Sequence, residues 1–102
     1  MRVLHVEDNP SDADLTQRQI ARQTADISLE LVATLAAARE CLRHPEHYDA
    51  VLVDLRLPDG SGLELLAEIR RQRLDLAVVM LTGSGDDDAA IAGIEGHHRS
   101  RR

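Results

Sequence analysis

The sequence predicts an open α/β fold, a mostly parallel sheet with helices between successive strands, and three observations carry that expectation. Short apolar runs alternate with longer stretches whose apolar residues recur at helical spacing. Ala50-Val51-Leu52-Val53 and the run from Leu76 to Leu81 are continuous rather than alternating, as strands buried on both faces are. The first, third and fourth apolar runs stop abruptly at polar residues: Glu7-Asp8, Asp54 and Thr82.

In chain order, Val3 to Val6 is a first strand, and Pro10-Ser11 opens a helix. Ser11 and Asp14 have the spacing of a capping box, and Asp12 suits the positive helix end. The helix runs to about Thr24 with a thin apolar face of Ala13, Ile20 and Ala21. Ile27, Leu29, Leu31 and Ala33 then alternate with Ser28, Glu30 and Val32, predicting a strand with one wetter side at the sheet edge. Thr34 caps a second helix with Leu35, Ala38 and Leu42 on one face and Cys41 packed there, and His44-Pro45 ends it. Ala50 to Val53 is the third strand. A turn rich in Pro58, Gly60 and Gly62 leads to a third helix carrying Leu63, Leu66 and Ala67, with Arg70, Arg71 and Arg73 near its end. After the strand from Leu76 to Leu81, Thr82-Gly83-Ser84-Gly85 and Asp86-Asp87-Asp88 step into a fourth helix. From residue 93 the sequence predicts no further strand, so residues 1–92 read as the domain. Residues 93–102, with His97-His98 and three arginines, read as a non-native or disordered tail.

Composition narrows the function. The chain has 102 residues, enough for one core. Its formal net charge is -6, its 12 basic residues are all arginine, and Tyr48 is its one aromatic side chain. A basic surface with stacking aromatics is absent, which argues against nucleic acid as a partner of this segment. A single cysteine, Cys41, gives no disulfide framework, and no apolar run has membrane length, so a cytoplasmic domain with no membrane association is expected.

In an open parallel sheet, the strand ends that carry Glu7, Asp8, Asp54 and Thr82 lie along one rim, beside the crevice where such folds bind ligands. Each acid taken alone reads as a solvated loop starter. Three carboxylates converging repel one another unless a cation sits among them, and hard oxygen ligands suit Mg²⁺ or Mn²⁺. Acid plus hydroxyl at one rim points to metal-assisted phosphate chemistry. His44 and His47 have a loose metal-like spacing interrupted by Pro45 and read as a solvated turn, while His5 reads as a core or rim histidine.

Val3-Leu4-His5-Val6-Glu7-Asp8-Asn9, the segment from Asp54 to Gly62 (Asp-Leu-Arg-Leu-Pro-Asp-Gly-Ser-Gly) and the later Leu81-Thr82-Gly83 together resemble the receiver domain of two-component response regulators. The resemblance runs from the start of the chain to roughly Ile91. It implies a flavodoxin-like three-layer sandwich with parallel sheet order 2-1-3-4, the family's fifth strand and fifth helix being missing here. It implies that Asp54 accepts a phosphoryl group from a sensor histidine kinase or phosphotransfer protein, to regulate an attached domain or partner. Asp8, Asp54 and the backbone carbonyl of Arg56 would hold Mg²⁺, Glu7 would reach it through water, and Thr82 would bond a phosphoryl oxygen. Pro58 and Gly62 would shape the loop, and Gly83 would leave room for the phosphoryl group.

Such a module is a substrate and a switch, not a turnover enzyme. Arg56 stands where metal-dependent phosphatases of related chemistry place a proton-shuttling aspartate. The family's missing fifth strand carries a switch aromatic and a lysine that pairs with the phosphoryl group, and this chain has no lysine at all. Two expectations follow: Mg²⁺ binding survives with weakened phosphotransfer or switching, and a homodimer forms through the uncovered edge or face of the sheet. The alternative is a phosphorylation-independent pseudo-receiver acting as an interaction or dimerisation module.

Overall fold

In the computed structural model of the chain, residues 1–81 and the backbone of residues 93–95 are described. Strand β1 (Arg2–Val6) leads to helix α1 (Pro10–Gln23), β2 (Ser28–Val32), α2 (Leu35–Cys41), a 3-10 turn (Pro45–His47) and β3 (Ala50–Asp54). A short hairpin follows, β4 (Arg56–Leu57) with β5 (Gly60–Ser61), then α3 (Gly62–Arg71), β6 (Ala77–Leu81) and β7 (Gly93–Glu95).

The main sheet has the order β2-β1-β3-β6-β7. Its first four strands are parallel, with Val3 beside Leu29 and Ala50, and Val53 beside Met80. This is the 2-1-3-4 order of the flavodoxin-like fold, with the fourth parallel strand in the β6 position. The edge placement expected for the alternating segment is that of β2. The chain passes from β1 outward to β2, then back over β1 to β3 and on to β6. Right-handed crossovers therefore place α1 on one face and both α2 and α3 on the other.

Burial follows this division. Leu4, Val6, Val51, Val53, Val78 and Met80 point to one face and form a single buried cluster with Leu35, Ala38, Leu65 and Ile69 of α2 and α3. On the α1 face, Val3, His5 and Ala13 are buried, whereas Leu52 and Val79 are only half-buried and Leu31 is 52% exposed. The β3 run, expected to be buried on both faces, is thus fully buried on one.

Two expectations are corrected. Helix α1 is capped by Asn9, one residue before Pro10, because the Asn9 Oδ1 accepts the N–H groups of Ser11 (2.9 Å) and Asp12 (3.1 Å). The Ser11/Asp14 spacing therefore falls inside the helix and is not a capping box. The outer edge of β6 is also not bare: Gly93–Glu95 pairs antiparallel with it, Met80 beside Gly93 and Val78 beside Glu95. Backbone groups on an edge favour whatever strand can satisfy them, and this short antiparallel segment does so.

Candidate acidic site at the carboxyl rim of the sheet

Strands β1 and β3 are neighbours in register through Val6 and Val53, so the next residues of each emerge side by side at the rim. The Glu7 N–H donates to the Val32 carbonyl (2.9 Å), which extends the ladder one residue and points the Glu7 side chain inward, where it is only 5% exposed. The Asn9 N–H donates to Glu7 Oε2 at 3.1 Å. Asp8 is exposed and Asp54 half-buried. One carboxylate oxygen from each of Glu7, Asp8 and Asp54 lies within 4.8 Å of the others, the one acid, histidine or cysteine cluster among the described residues tight enough to hold a metal ion.

The loop beside the cluster is built around two glycines. A Cβ at Gly62 would lie 2.3 Å from the Asp54 carbonyl oxygen and 3.1 Å from the Met80 Sδ, so only glycine lets the start of α3 pass this close. Gly60 has φ +149°, a conformation side chains rarely adopt, and a Cβ there would meet Leu35 Cδ1 at 2.7 Å. The Leu55 N–H donates to the Leu81 carbonyl (2.9 Å), tying the residue after Asp54 to the end of β6.

Burial, and after it the crowding of like charge, shows in the titration of the site. Glu7 is pushed up to about 7, first by burial and further by the charges of Asp54, Asp12 and Asp8, with only the Asn9 N–H opposing. Asp54 is also raised, by burial and then by Asp8 and Asp12, against the N–H groups of Arg56 and Leu55. A site of oxygen ligands in which burial, reinforced by neighbouring carboxylates, raises Glu7 and Asp54 fits a small hard divalent cation, whose charge favours their ionised forms.

The structure thus brings Glu7, Asp8 and Asp54 together, with Arg56 opening β4 two residues further on. Thr82, Gly83, Ser84, Gly85 and the Asp86-Asp87-Asp88 step lie outside the described residues, as do His97 and His98. His5 is buried beneath the rim with Nε2 lacking a partner among the described residues, and burial lowers it to about 4. His44 and His47 are exposed and stacked 5.4 Å apart beside Glu46, outside any three-ligand cluster. Sequence reasoning missed Asp12 as a charge acting on the site, Asp59 as a loop anchor, and the Ser61/Glu64 capping box of α3. The Ser-x-x-Glu spacing at 61–64 was a local signal for the last. Asp59 had none, because its partners lie on another helix.

A mostly parallel open sheet with a trio of acids at its carboxyl rim defines an α/β domain with a rim site suited to a hard divalent cation. The profile of the response regulator receiver domain family matches residues 3–99, and the chain belongs to that family. It is 36% identical over 100 residues to the C4-dicarboxylate transport transcriptional regulatory protein DctD of Pseudomonas aeruginosa, covering 93% of this chain and 20% of that protein. It is 38% identical over 96 residues to the transcriptional regulatory protein BasR of Escherichia coli, covering 93% and 41%. Among solved structures, it is similar to the MaeR response regulator bound to beryllium trifluoride, with TM-score 0.74, 26% identity and coverage of 86% of this chain and 71% of that one. The chain thus spans from a fifth to two fifths of the length of those two curated relatives. No helix among the described residues is long and apolar enough to cross a membrane.

Proposed function

We propose that the chain is a cytoplasmic phosphoryl-accepting switch whose acceptor is Asp54, served by a sensor histidine kinase or phosphotransfer protein. The observation that carries this reading is the convergence of the Asp54, Asp8 and Glu7 carboxylates within 4.8 Å at the sheet rim. Asp8, Asp54 and the Arg56 carbonyl would hold Mg²⁺, with Glu7 reaching it through water, and Mn²⁺ would fit the same oxygen donors. The bound cation supplies positive charge opposite the transferring group. An Asp54 carboxylate oxygen attacks phosphorus, the P–N bond to the donor histidine breaks, and the electron pair returns to that nitrogen, which takes up a proton. Glu7 forms the buried wall of the pocket, while Asp8 is exposed and Asp54 half-buried, so the acceptor stays within reach of a donor. Thr82 is assigned the contact to a phosphoryl oxygen. The product is a phosphorylated protein, not a released small molecule, so the domain acts as substrate and switch.

One second reading is a pseudo-receiver that keeps the acidic pocket but acts through binding alone. The half-buried Leu52 and Val79 and the exposed Leu31 support self-association through the α1 face as its route. Incubation with acetyl phosphate and Mg²⁺ followed by intact-mass analysis separates the two. One added phosphoryl group, lost in Asp54→Asn, is the expected result. Mg²⁺ binding with no labelling would transfer the function to the second reading.

A further inference from the structure

Resting on the reading of Asp54 and the Arg56 carbonyl as ligands of the cation, we propose that Asp59 is a positioning residue. It clamps the β4–β5 hairpin to the start of α2 and so sets how tightly the acidic pocket holds its divalent cation. The hairpin leaves β3 immediately after Asp54, and Arg56 on β4 stands opposite Ser61 on β5. Its base is fixed by the Leu55 N–H on the Leu81 carbonyl (2.9 Å) and the Gly62 N–H on the Leu55 carbonyl (2.8 Å). Its tip is Pro58-Asp59, both exposed.

That tip is tied to an element from far back in the chain. Asp59 Oδ1 accepts the Leu35 N–H at 2.8 Å and Oδ2 accepts the Ala36 N–H at 3.0 Å, so one carboxylate satisfies the first two N–H groups of α2. Thr34 Oγ1 takes the third, from Ala37, at 3.0 Å. The division of labour is informative. Thr34 caps the helix from its own chain neighbourhood, whereas Asp59 satisfies the same helix end only by bringing the hairpin to it. The post to which it is tied is rigid, because Leu35 is fully buried in the core beside β1. Both N–H groups hold Asp59 below the usual carboxylate range, so it stays charged wherever the pocket acids are. Contact is close as well as polar, since a Cβ on Gly60 would strike Leu35 Cδ1.

Arg56 therefore lies on a strand anchored on one side by the Asp54 rim and on the other by Asp59. A carbonyl already held in place loses little freedom when it meets a cation, whereas one on a hairpin free at its tip must be ordered at the moment of binding. The same ties link α2 to the pocket, so a change in the hairpin on cation binding reaches the Leu35 and Ala36 N–H groups directly.

The test is Mg²⁺ titration by calorimetry and amide NMR on the whole chain, comparing wild type with Asp59→Ala, Asp59→Asn, Thr34→Ala and Asp54→Asn. Asp59→Ala is expected to weaken Mg²⁺ binding about tenfold and to abolish the Mg²⁺-dependent shifts of the Leu35 and Ala36 amides. Asp59→Asn, which keeps one acceptor oxygen, should recover part of the affinity. Thr34→Ala strips the same helix end without touching the hairpin, so it should lower the melting temperature and leave the affinity unchanged. Equal affinity in Asp59→Ala and wild type, or an equal loss in Thr34→Ala, overturns the clamp while leaving the pocket reading intact. Absence of Asp54-dependent Mg²⁺ binding in wild type overturns the pocket reading and the clamp with it.

Discussion

His5 on β1 and Glu7 just past its end lie two residues apart, and burial moves their ionisation in opposite directions. Glu7 is raised from 4.5 to about 7, so the folded state holds a proton that the unfolded chain has lost. Its contribution to stability is complete below about pH 4.5 and disappears as pH rises through 7. His5 is lowered from 6.5 to about 4, so here the unfolded chain is the better proton acceptor, and stability is lost as pH falls from 6.5 towards 4. Between pH 4.5 and 6.5 the two oppose each other. Thermal melts without metal should therefore show a steeper rise of stability with pH in Glu7→Gln than in wild type. His5→Leu should lack the His5 loss on acidification and gain about 1 kcal/mol near neutral pH by removing a buried nitrogen that has no partner among the described residues. Because Mg²⁺ favours ionised Glu7, it should raise the melting temperature more at pH 8 than at pH 5.5, and Glu7→Gln should remove that difference. Equal Mg²⁺ shifts at both pH values would contradict the repulsion drawn from the geometry.

Among the elements, α3 shows most fully how local sequence is converted into defined ends. Its start has a complete capping box between Ser61 and Glu64, and its finish is a Schellman motif: the Leu74 N–H donates to the Ile69 carbonyl and the Arg73 N–H to the Arg70 carbonyl, both at 3.1 Å. Leu74 packs against the same buried cluster that contains Ile69. The residue that must turn left-handed in this motif is Arg73, at φ +56°, where glycine would carry no Cβ penalty. Arg73→Gly is expected to stabilise the domain by about 0.5–1 kcal/mol, and Arg73→Ala should give no such gain. Denaturant midpoints measured at constant m-value check this. A loss in Arg73→Gly would mean that the arginine side chain contributes more than its backbone costs.

At the scale of the whole fold, the two faces of the sheet are unequally covered among the described residues. Helices α2 and α3 seal one face. On the other, Leu31, Leu52 and Val79 share one rung with the buried His5, Leu31 exposed and the other two half-buried, and α1 contributes only Ala13 as a buried residue. Self-association through this face predicts a dimer in multi-angle light scattering that Leu31→Glu returns to monomer without loss of its melting temperature. A wild-type monomer at all accessible concentrations would show that this surface stays open to solvent. The expectation of an open β6 edge failed on the antiparallel pairing of Gly93–Glu95, since edge backbone can be satisfied by three residues that carry no apolar period of their own.

The sequence by itself determined the alternation of the four parallel strands with α1, α2 and α3, the edge position of β2 and the acids that stand at the rim. These depend on periodicity, on abrupt apolar-to-acid boundaries and on a segment, Asp54 to Gly62, whose residues resemble one family closely. Tertiary structure alone decided that Asn9 and not Ser11 caps α1, that Asp59 reaches Leu35 and Ala36, and that Asp12 adds its charge to Glu7 and Asp54. The physical reason is range. Periodicity and capping are written within one turn or one strand of the chain, whereas the ionisation of Glu7 and the anchoring of the hairpin depend on groups that become neighbours only when the sheet closes.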